Sequence, residues 1–356
     1  MGRRILVAAS GTGGHIFPAL AVAEHLDDWQ VEWLGVPDRL EREILADRYP
    51  LHLIGMGGLQ ERSWRAWGQT LLQFGRSIGQ VRRLIRQRHI DVILTTGGYI
   101  AAPAIVAGAW CGIPVVLHES NALPGKVTRG FGRWCRRVIL GFPEAAARLP
   151  GIPTEVVGTP VRQSFMTATG EVGIPAQQPL ILVMGGSQGA RGLNRMVVAC
   201  APDWLAAGAH IIHLTGTTDA EAMKALAPRD PNYQLFPFRD DVAQLLRRAQ
   251  FVVSRSGAAS LAELSVMGVP AILIPYPYAA EDHQWVNAHA FAVSHPAVIL
   301  RESFENEALL RQQGLDWLAS PPLVTGISPH RDAAQRIAQV LNTVCKEIRE
   351  ERQAVR

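Results

Sequence analysis

The sequence predicts an α/β protein built from two Rossmann-like halves, each a parallel sheet, facing a cleft. Three observations predict it. Strands and helices alternate along nearly the whole chain, as parallel strands joined by crossover helices must. The order strand, glycine turn, helix opens twice, first at Arg3–His15 and again from Leu180 to Gly189. The chain has 356 residues, more than the roughly 250–300 at which a single core stops growing.

Taken in order, Arg3–Ser10 reads as a strand, Gly11-Thr12-Gly13-Gly14-His15 as a turn, and 16–26 as a helix. Strand 31–36, helix 39–48 and strand 51–56 follow, then a long helix over about 63–88. Strand 91–96 leads into Gly97-Gly98-Tyr99 and a helix to Cys111; strand 115–118 ends in Glu119-Ser120-Asn121, and strand 138–142 follows a basic helix. The pattern pauses at VVGTPV (156–161), and 167–179 reads as a linker or surface loop. It restarts with LILVM (180–184), then strands near 211–214, 234–238, 251–254, 270–275 and 298–300, with a last helix over about 329–350. The expected domains are residues 1–160, with 329–356 packing back on it or on its neighbour, and 161–328.

The segment Phe251–Asn287 concentrates candidate chemistry. A buried strand, the Arg255-Ser256-Gly257 turn and a helix over 258–267 place backbone amides where an anion can sit. Glu263 lies one turn inside that helix, where a carboxylate can accept two hydrogen bonds from a ribose diol, and Ser260 offers a hydroxyl near a phosphate. The polar run Glu281-Asp282-His283-Gln284, with Asn287, follows the next strand at the C-terminal edge, where open α/β sheets bind ligands. A nucleotide beside a polyol suggests a nucleotide-sugar. The plainer alternative is an ordinary strand–helix–strand unit with polar loops.

The other turns divide similarly. GTGGHI lacks the third glycine of a dinucleotide fingerprint, since Ile16 stands there, and Glu32 lies inside its strand; a nicotinamide site is disfavoured. What remains is a helix N-terminus with His15 beside it, whose field favours the neutral imidazole a general base needs; the alternative is a turn histidine satisfied by backbone. In GGSQG, Ser187 and Gln188 stand over a helix N-terminus, and Arg162 could reach the same diphosphate with its planar fork. There is no Asp-x-Asp and no metal-ligand spacing, so charge on a leaving group falls to amides, Arg162 and the helix dipole.

Four scattered cysteines without a CxxC, no signal peptide and no apolar run of membrane-spanning length suggest a cytosolic protein with reduced thiols. Residues 1–160 carry 18 Lys/Arg against 13 Asp/Glu, the remainder 17 against 18. The excess gathers in two acid-free segments, 62–90 and 121–142, which suit an anionic membrane surface or a polyphosphate substrate better than nucleic acid. In the long helix Trp64, Trp67, Leu71, Phe74, Ile78, Val81 and Ile85 recur at helical spacing and read as core, with Leu72 off the stripe.

Assembled, GTGGHIFPALAVA, GGYIAAPA, HESNALPG, GTPVR, MGGSQGARGLN, SRSGA…AE and DHQxxNA occur in the order of the MurG family of peptidoglycan glycosyltransferases, which the chain resembles over nearly its whole length. The resemblance implies a GT-B fold with the last helix returning to the N-terminal domain. It implies inverting transfer of N-acetylglucosamine from UDP-GlcNAc to undecaprenyl-diphosphate-linked N-acetylmuramoyl pentapeptide (lipid I), without a metal or other cofactor, by a protein peripheral on the cytosolic face of the inner membrane. Ala258, Ala259, Ser260 and Glu263 would line the UDP, Ser187 and Arg162 its diphosphate, Arg239 the uracil, and His283 and Gln284 the sugar. Thr12, Gly13 and Gly14 would line the cleft floor, with Tyr99, Glu119 and Asn121 near the acceptor or donor sugar; His15 would be the base and Glu119 the second candidate. Ser120 and Thr159 depart from the family's common Gln and Asn. Alternatives are another UDP-GlcNAc enzyme of this fold, such as a 2-epimerase, or a nucleotide-sugar-binding module without catalysis.

Overall fold

Two all-parallel sheets organise the chain. The computed structural model describes residues 2–11, 13–37, 41–45, 48–55, 64–186, 189–325 and 328–354, except the side chains of 42–43 and 64–69. The expectations placed on Thr12, Ser187 and Gln188, and on the Trp64 and Trp67 side chains, lie outside the described residues. The chain divides into two compact units, Met1–Arg162 with Pro329–Arg356, and Gln163–Ser328.

The first unit holds β1 (Arg3–Ala8), β2 (Trp29–Gly35), β3 (Leu51–Leu53), β4 (Val92–Thr95), β5 (Val115–Glu119), β6 (Arg137–Leu140) and β7 (Thr154–Val156), in the order β3-β2-β1-β4-β5-β6-β7. The second holds β8 (Leu180–Met184), β9 (His210–Leu214), β10 (Tyr233–Phe236), β11 (Phe251–Ser254), β12 (Ala271–Leu273) and β13 (Ala297–Ile299), in the order β10-β9-β8-β11-β12-β13. Both orders are the Rossmann 3-2-1-4-5-6 sequence, extended by one strand in the first unit. Each sheet therefore has a switch point between its first and fourth strands, β1/β4 and β8/β11, where crossovers diverge and leave a crevice at the carboxyl ends.

The strands are apolar on both faces because helices cover both. Ile5, Leu6, Val7 and Ala8 of β1, and Ile181, Leu182 and Val183 of β8, are all fully buried. The final helix, Ala333–Ala354, packs Ile337, Leu341, Val344 and Cys345 into the same cluster as Ile5, Val7 and Leu20 of the first unit. Its polar side is tied by Arg136 and Arg137, whose guanidinium groups lie 3.0 and 2.9 Å from Glu347, with Arg136 also 2.6 Å from Glu351. Those bonds hold Arg136 above the usual arginine range.

Several boundaries differ from the sequence expectations. The first helix begins at the glycines, Gly13–Ala23, and β7 occupies part of the apparent pause before Arg162. Helix Glu307–Ala319 was not expected at all; it packs Leu310 and Trp317 on β11's Phe251 and on Trp204. The stripe of the long helix, Trp64–Arg88, is core only in part: Ile78, Val81 and Ile85 are buried, but Leu71 is 63% exposed. Of the five cations in segment 121–142, Arg136 and Arg137 pair with Glu347 inside the unit.

Candidate functional site

The two glycine-turn systems sit at the two switch points. In the first unit β1 runs into Gly11, and the first helix starts at Gly13. His15 Nδ1 donates to the Thr96 carbonyl at 2.7 Å, just beyond β4, and Thr96 Oγ1 returns a bond of 2.9 Å to the His15 carbonyl. Histidine and the β4 end are thus joined across the β1/β4 crevice. A carbonyl only accepts, so Nδ1 carries the proton, and in the neutral ring Nε2 keeps its lone pair. The ring lies on the Gly97-Gly98 turn: a Cβ at Gly97 would meet Cε1 at 3.5 Å, and one at Gly98 would meet Nε2 at 3.6 Å. Both glycines have positive φ, +91° and +74°, which β-carbon-bearing residues adopt only under strain.

Glu119 ends β5, almost fully buried. Its Oε1 accepts from the Asn121 backbone at 3.0 Å and from Asn121 Nδ2 at 3.1 Å; its Oε2 accepts from the Gly125 backbone at 2.9 Å and Thr128 Oγ1 at 2.6 Å. Four donors occupy the carboxylate, so its geometry favours shaping the 120–125 loop over accepting a substrate proton. Tyr99 is 58% exposed beside the glycine turn, and Gly14 and Asn121 are partly exposed. Arg162 belongs to this unit and stacks its guanidinium 4.0 Å from the Phe17 ring of the first helix. Phe17 in turn lies against Gly13.

Buried behind this crevice, His118 donates from Nε2 to the Gly158 carbonyl at 3.0 Å, next to Thr159, whose amide donates to His330 Nδ1 at 2.8 Å. Ser120 Oγ lies 3.3 Å from His118 Nδ1, and a Cβ at Gly141 would strike both Thr159 Oγ1 and the Ser120 carbonyl. The two departures from the family pattern are therefore neighbours. Burial pushes His118 down to about 4 and, in the second unit, His213 to about 3. Below the unfolded value near 6.5 the unfolded chain takes up a proton that the folded chain refuses, so stability is lost as pH falls from there towards the folded values. Each histidine is expected to remove about 2 kcal/mol between pH 7 and 5, read from urea midpoints, and His118→Asn should flatten part of that dependence.

In the second unit β8 runs into Gly185-Gly186, and the helix Arg191–Ala206 starts beyond Gly189; across the crevice β11 runs into Arg255-Ser256-Gly257 and the helix Ala258–Met267. The Arg255 amide donates to the Met184 carbonyl at 3.3 Å, closing the switch point. Neither helix has a side-chain cap at its N-terminus, so first-turn amides are left for an anion. Ala259, Ser260 and Glu263 are partly exposed, while Leu261, Ala262 and Leu264 are buried, so Ser260 and Glu263, three residues apart, share the outward face. Ala258 is buried at the helix start.

The polar run is clamped onto this turn. Ser256 Oγ donates to the Gln284 carbonyl at 2.7 Å, and Asn287 Nδ2 to the Ser256 carbonyl at 3.3 Å. Gln284 Oε1 accepts from the Tyr276 amide at 2.9 Å, so its Nε2 is what it offers a ligand. His283 Nδ1 donates to the Ala280 carbonyl at 2.9 Å, which turns Nε2 outward as an acceptor. Glu281 and Asp282 just before it are both left-handed, φ +54°, an uncommon pair of non-glycine residues. Arg239 is held by Asp241 through two side-chain bonds that raise the arginine and lower the carboxylate, so its backbone is what it offers to a base.

Sequence reasoning missed Glu302. Arg255 is 7% exposed; it donates to the Ile274 and Pro275 carbonyls at 3.0 and 3.3 Å and pairs with Glu302. Glu302 also fills the space beside Gly192, so one carboxylate ties both anion turns together. A charged residue inside the apolar Phe251–Pro275 segment signals a need for a partner, but nothing local points to a residue 47 positions away.

Residues 5–140 match the N-terminal domain of glycosyltransferase family 28, and residues 180–339 match its C-terminal domain. A UDP-N-acetylglucosamine–N-acetylmuramyl-(pentapeptide) pyrophosphoryl-undecaprenol N-acetylglucosamine transferase of Synechococcus sp. (strain JA-2-3B'a(2-13)) is 56% identical over 98% of this chain and 96% of its own. The chain belongs to glycosyltransferase family 28. It is a transferase of the GT-B kind: the crystal structure of Acinetobacter baumannii MurG superposes with TM-score 0.74 at 27% identity, over 96% of this chain and 99% of that one. A Neisseria meningitidis UDP-GlcNAc 2-epimerase bound to UDP-GlcNAc shares the fold, with TM-score 0.70 at 12% identity over 96% and 100% of the two chains. In family 28 terms, the matched N-terminal domain carries His15 and the matched C-terminal domain carries the Gly257–Glu263 helix start.

Proposed function

We propose that this family 28 enzyme moves N-acetylglucosamine from UDP-GlcNAc to the 4-hydroxyl of the N-acetylmuramoyl group in lipid I, giving lipid II for peptidoglycan, with inversion at the transferred carbon. The near-full-length identity to a relative named for this transfer carries the reading. The donor goes to the second unit: first-turn amides at Ala258 and Ala259, with Ser260, hold phosphate, Glu263 takes the ribose diol, and the Arg239 backbone meets uracil. Ser187 and Arg162 meet the diphosphate, and His283 and Gln284 the sugar hydroxyls. Thr12, Gly13, Gly14 and Asn121 are further contacts of the donor, and the acceptor goes to the first unit, against Tyr99.

His15 is the base. Its Nε2 takes the proton as the 4-oxygen attacks the anomeric carbon from the face opposite UDP, and helix-terminal amides stabilise the departing diphosphate. Glu119 holds Asn121 and the loop in place. In the presence of EDTA, UDP-[14C]GlcNAc and a short-chain lipid I analogue should yield labelled lipid. Release of UDP with N-acetylmannosamine would establish epimerase chemistry instead, and donor binding without turnover a binding module.

Membrane association belongs to the same reading. No helix among the described residues is long and apolar enough to cross a membrane. The first unit nevertheless exposes Leu71, Leu72, Trp110 and Trp134, with Arg82 stacked 4.1 Å from the Trp110 ring. Apolar side chains among cations suit attachment to anionic lipid on the cytosolic face of the inner membrane, where lipid I presents its headgroup. Arg82→Glu/Arg83→Glu should weaken binding to phosphatidylglycerol vesicles by about 30-fold or more, at about 1 kcal/mol for each of the two lost cations plus the added repulsion. Binding that ignores both salt and these substitutions would refute the electrostatic attachment.

A further inference from the structure

A buried polar chain in the second unit has no part in the roles above. Asn194, His213 and Tyr233 are almost entirely buried. Asn194 Nδ2 lies 3.0 Å from the Thr215 carbonyl and 3.2 Å from Asp219 Oδ2, both acceptors, so chemistry fixes the amide orientation and Oδ1 faces His213 Nε2 at 3.0 Å. That nitrogen therefore carries the ring proton, and His213 Nδ1 accepts from the Tyr233 hydroxyl at 2.7 Å. Burial keeps the ring neutral and the phenol protonated, so the polarity of the chain does not reverse near neutral pH.

The chain ends at the second glycine turn. Gly189, at φ +91°, is so close to the loop after β9 that a Cβ there would lie 2.8 Å from Asp219 Oδ2 and 3.3 Å from the Thr215 carbonyl. Gly216 presses on it too: a Cβ at Gly216 would stand 2.2 Å from the Gly189 nitrogen. Asp219 is the N-cap of helix Ala220–Leu226, yet its side chain makes no capping bond and turns to Asn194 instead.

We propose that Asn194, oriented by His213 and Tyr233, is a positioning residue that holds Thr215 and Asp219 as the wall behind Gly189, and so sets the glycine turn for the donor's diphosphate. The proposal rests on the donor reading above. Asn194 also supplies the N–H that keeps the Asp219 carboxylate turned away from an incoming anion.

The test is calorimetric titration of the full chain with UDP and with uridine. Asn194→Ala should weaken UDP by about tenfold while uridine stays within about twofold, because uridine has no phosphate to meet the turn. With UDP-GlcNAc as substrate, KM should rise more than kcat falls. Tyr233→Phe, which removes only the hydroxyl that orients His213, should show the same selectivity at about threefold, and it carries the test if Asn194→Ala does not fold. Unchanged UDP affinity, or equal weakening of UDP and uridine in a folded variant, would overturn the proposal. Wild-type protein binding UDP no more tightly than uridine would instead remove the diphosphate reading, and this inference with it.

Discussion

His15→Ala is expected to lower kcat for transfer by about 10²–10⁴-fold, the range for loss of a positioned general base. The affinity for UDP-GlcNAc should stay within about twofold, since His15 is proposed to act on the acceptor hydroxyl and not to hold the donor. The size of the effect follows from how completely the ring is committed. Thr96 takes the Nδ1 proton and bonds back to the His15 backbone, and the Gly97-Gly98 turn supports the ring face, so Nε2 is the one lone pair the neutral imidazole can present. A hydroxyl attacking an anomeric carbon must lose its proton as the bond forms, and the other described histidine and carboxylates nearby are committed or enclosed: Glu119 already accepts four hydrogen bonds, His118 is buried, and Glu41, which accepts from the Gly11 amide at 3.2 Å, is fully buried. Steady-state transfer and calorimetric donor binding on the same preparation separate the two quantities. Unchanged turnover would remove His15 as base.

Glu302→Ala should cost the second unit about 3–5 kcal/mol, the usual result of stripping one partner from a buried ion pair. Arg255 would keep its bonds to the Ile274 and Pro275 carbonyls, but these do not neutralise a guanidinium whose side chain is 9% exposed. The loss is structural and functional at once. Glu302 is wedged against Gly192 near the start of one anion-turn helix and bonded to Arg255 at the start of the other, so its removal loosens both. Urea unfolding gives the stability loss, and UDP titration should show weaker binding beside it. Glu302→Gln, which keeps the shape and one acceptor, should recover part of the stability. A loss below about 1 kcal/mol for Glu302→Ala would place the pair among those with no net effect.

The switch-point turns were legible because glycine is demanded by conformation and proximity, and both demands are local in sequence: GTGGH, GGY, GGSQG and SRSG each mark a strand end. Alternation was legible for the same reason, since each apolar strand announces itself. Long-range pairings were not. Nothing near Arg136 or Arg137 points to Glu347, more than 200 residues on, so both read as free surface charge. Leu71 keeps helical register with Ile78 and Ile85, but among the described side chains of the long helix the buried ones begin at Ser77 and Ile78, and periodicity does not report where support ends. Glu119 is the second candidate base only through the family resemblance. Its four donors come from Asn121, Gly125 and Thr128, a loop conformation that residue types alone do not encode.

The central claim is a single displacement in which one base deprotonates the sugar hydroxyl and UDP leaves from the opposite face. It is tested most directly by the anomeric configuration of the product made from UDP-GlcNAc, an α-linked donor, and a lipid I analogue, read by NMR. The account predicts a new β-linked N-acetylglucosamine on the 4-oxygen of the muramoyl residue. An α-linked product would require a second displacement or front-face attack and would contradict it.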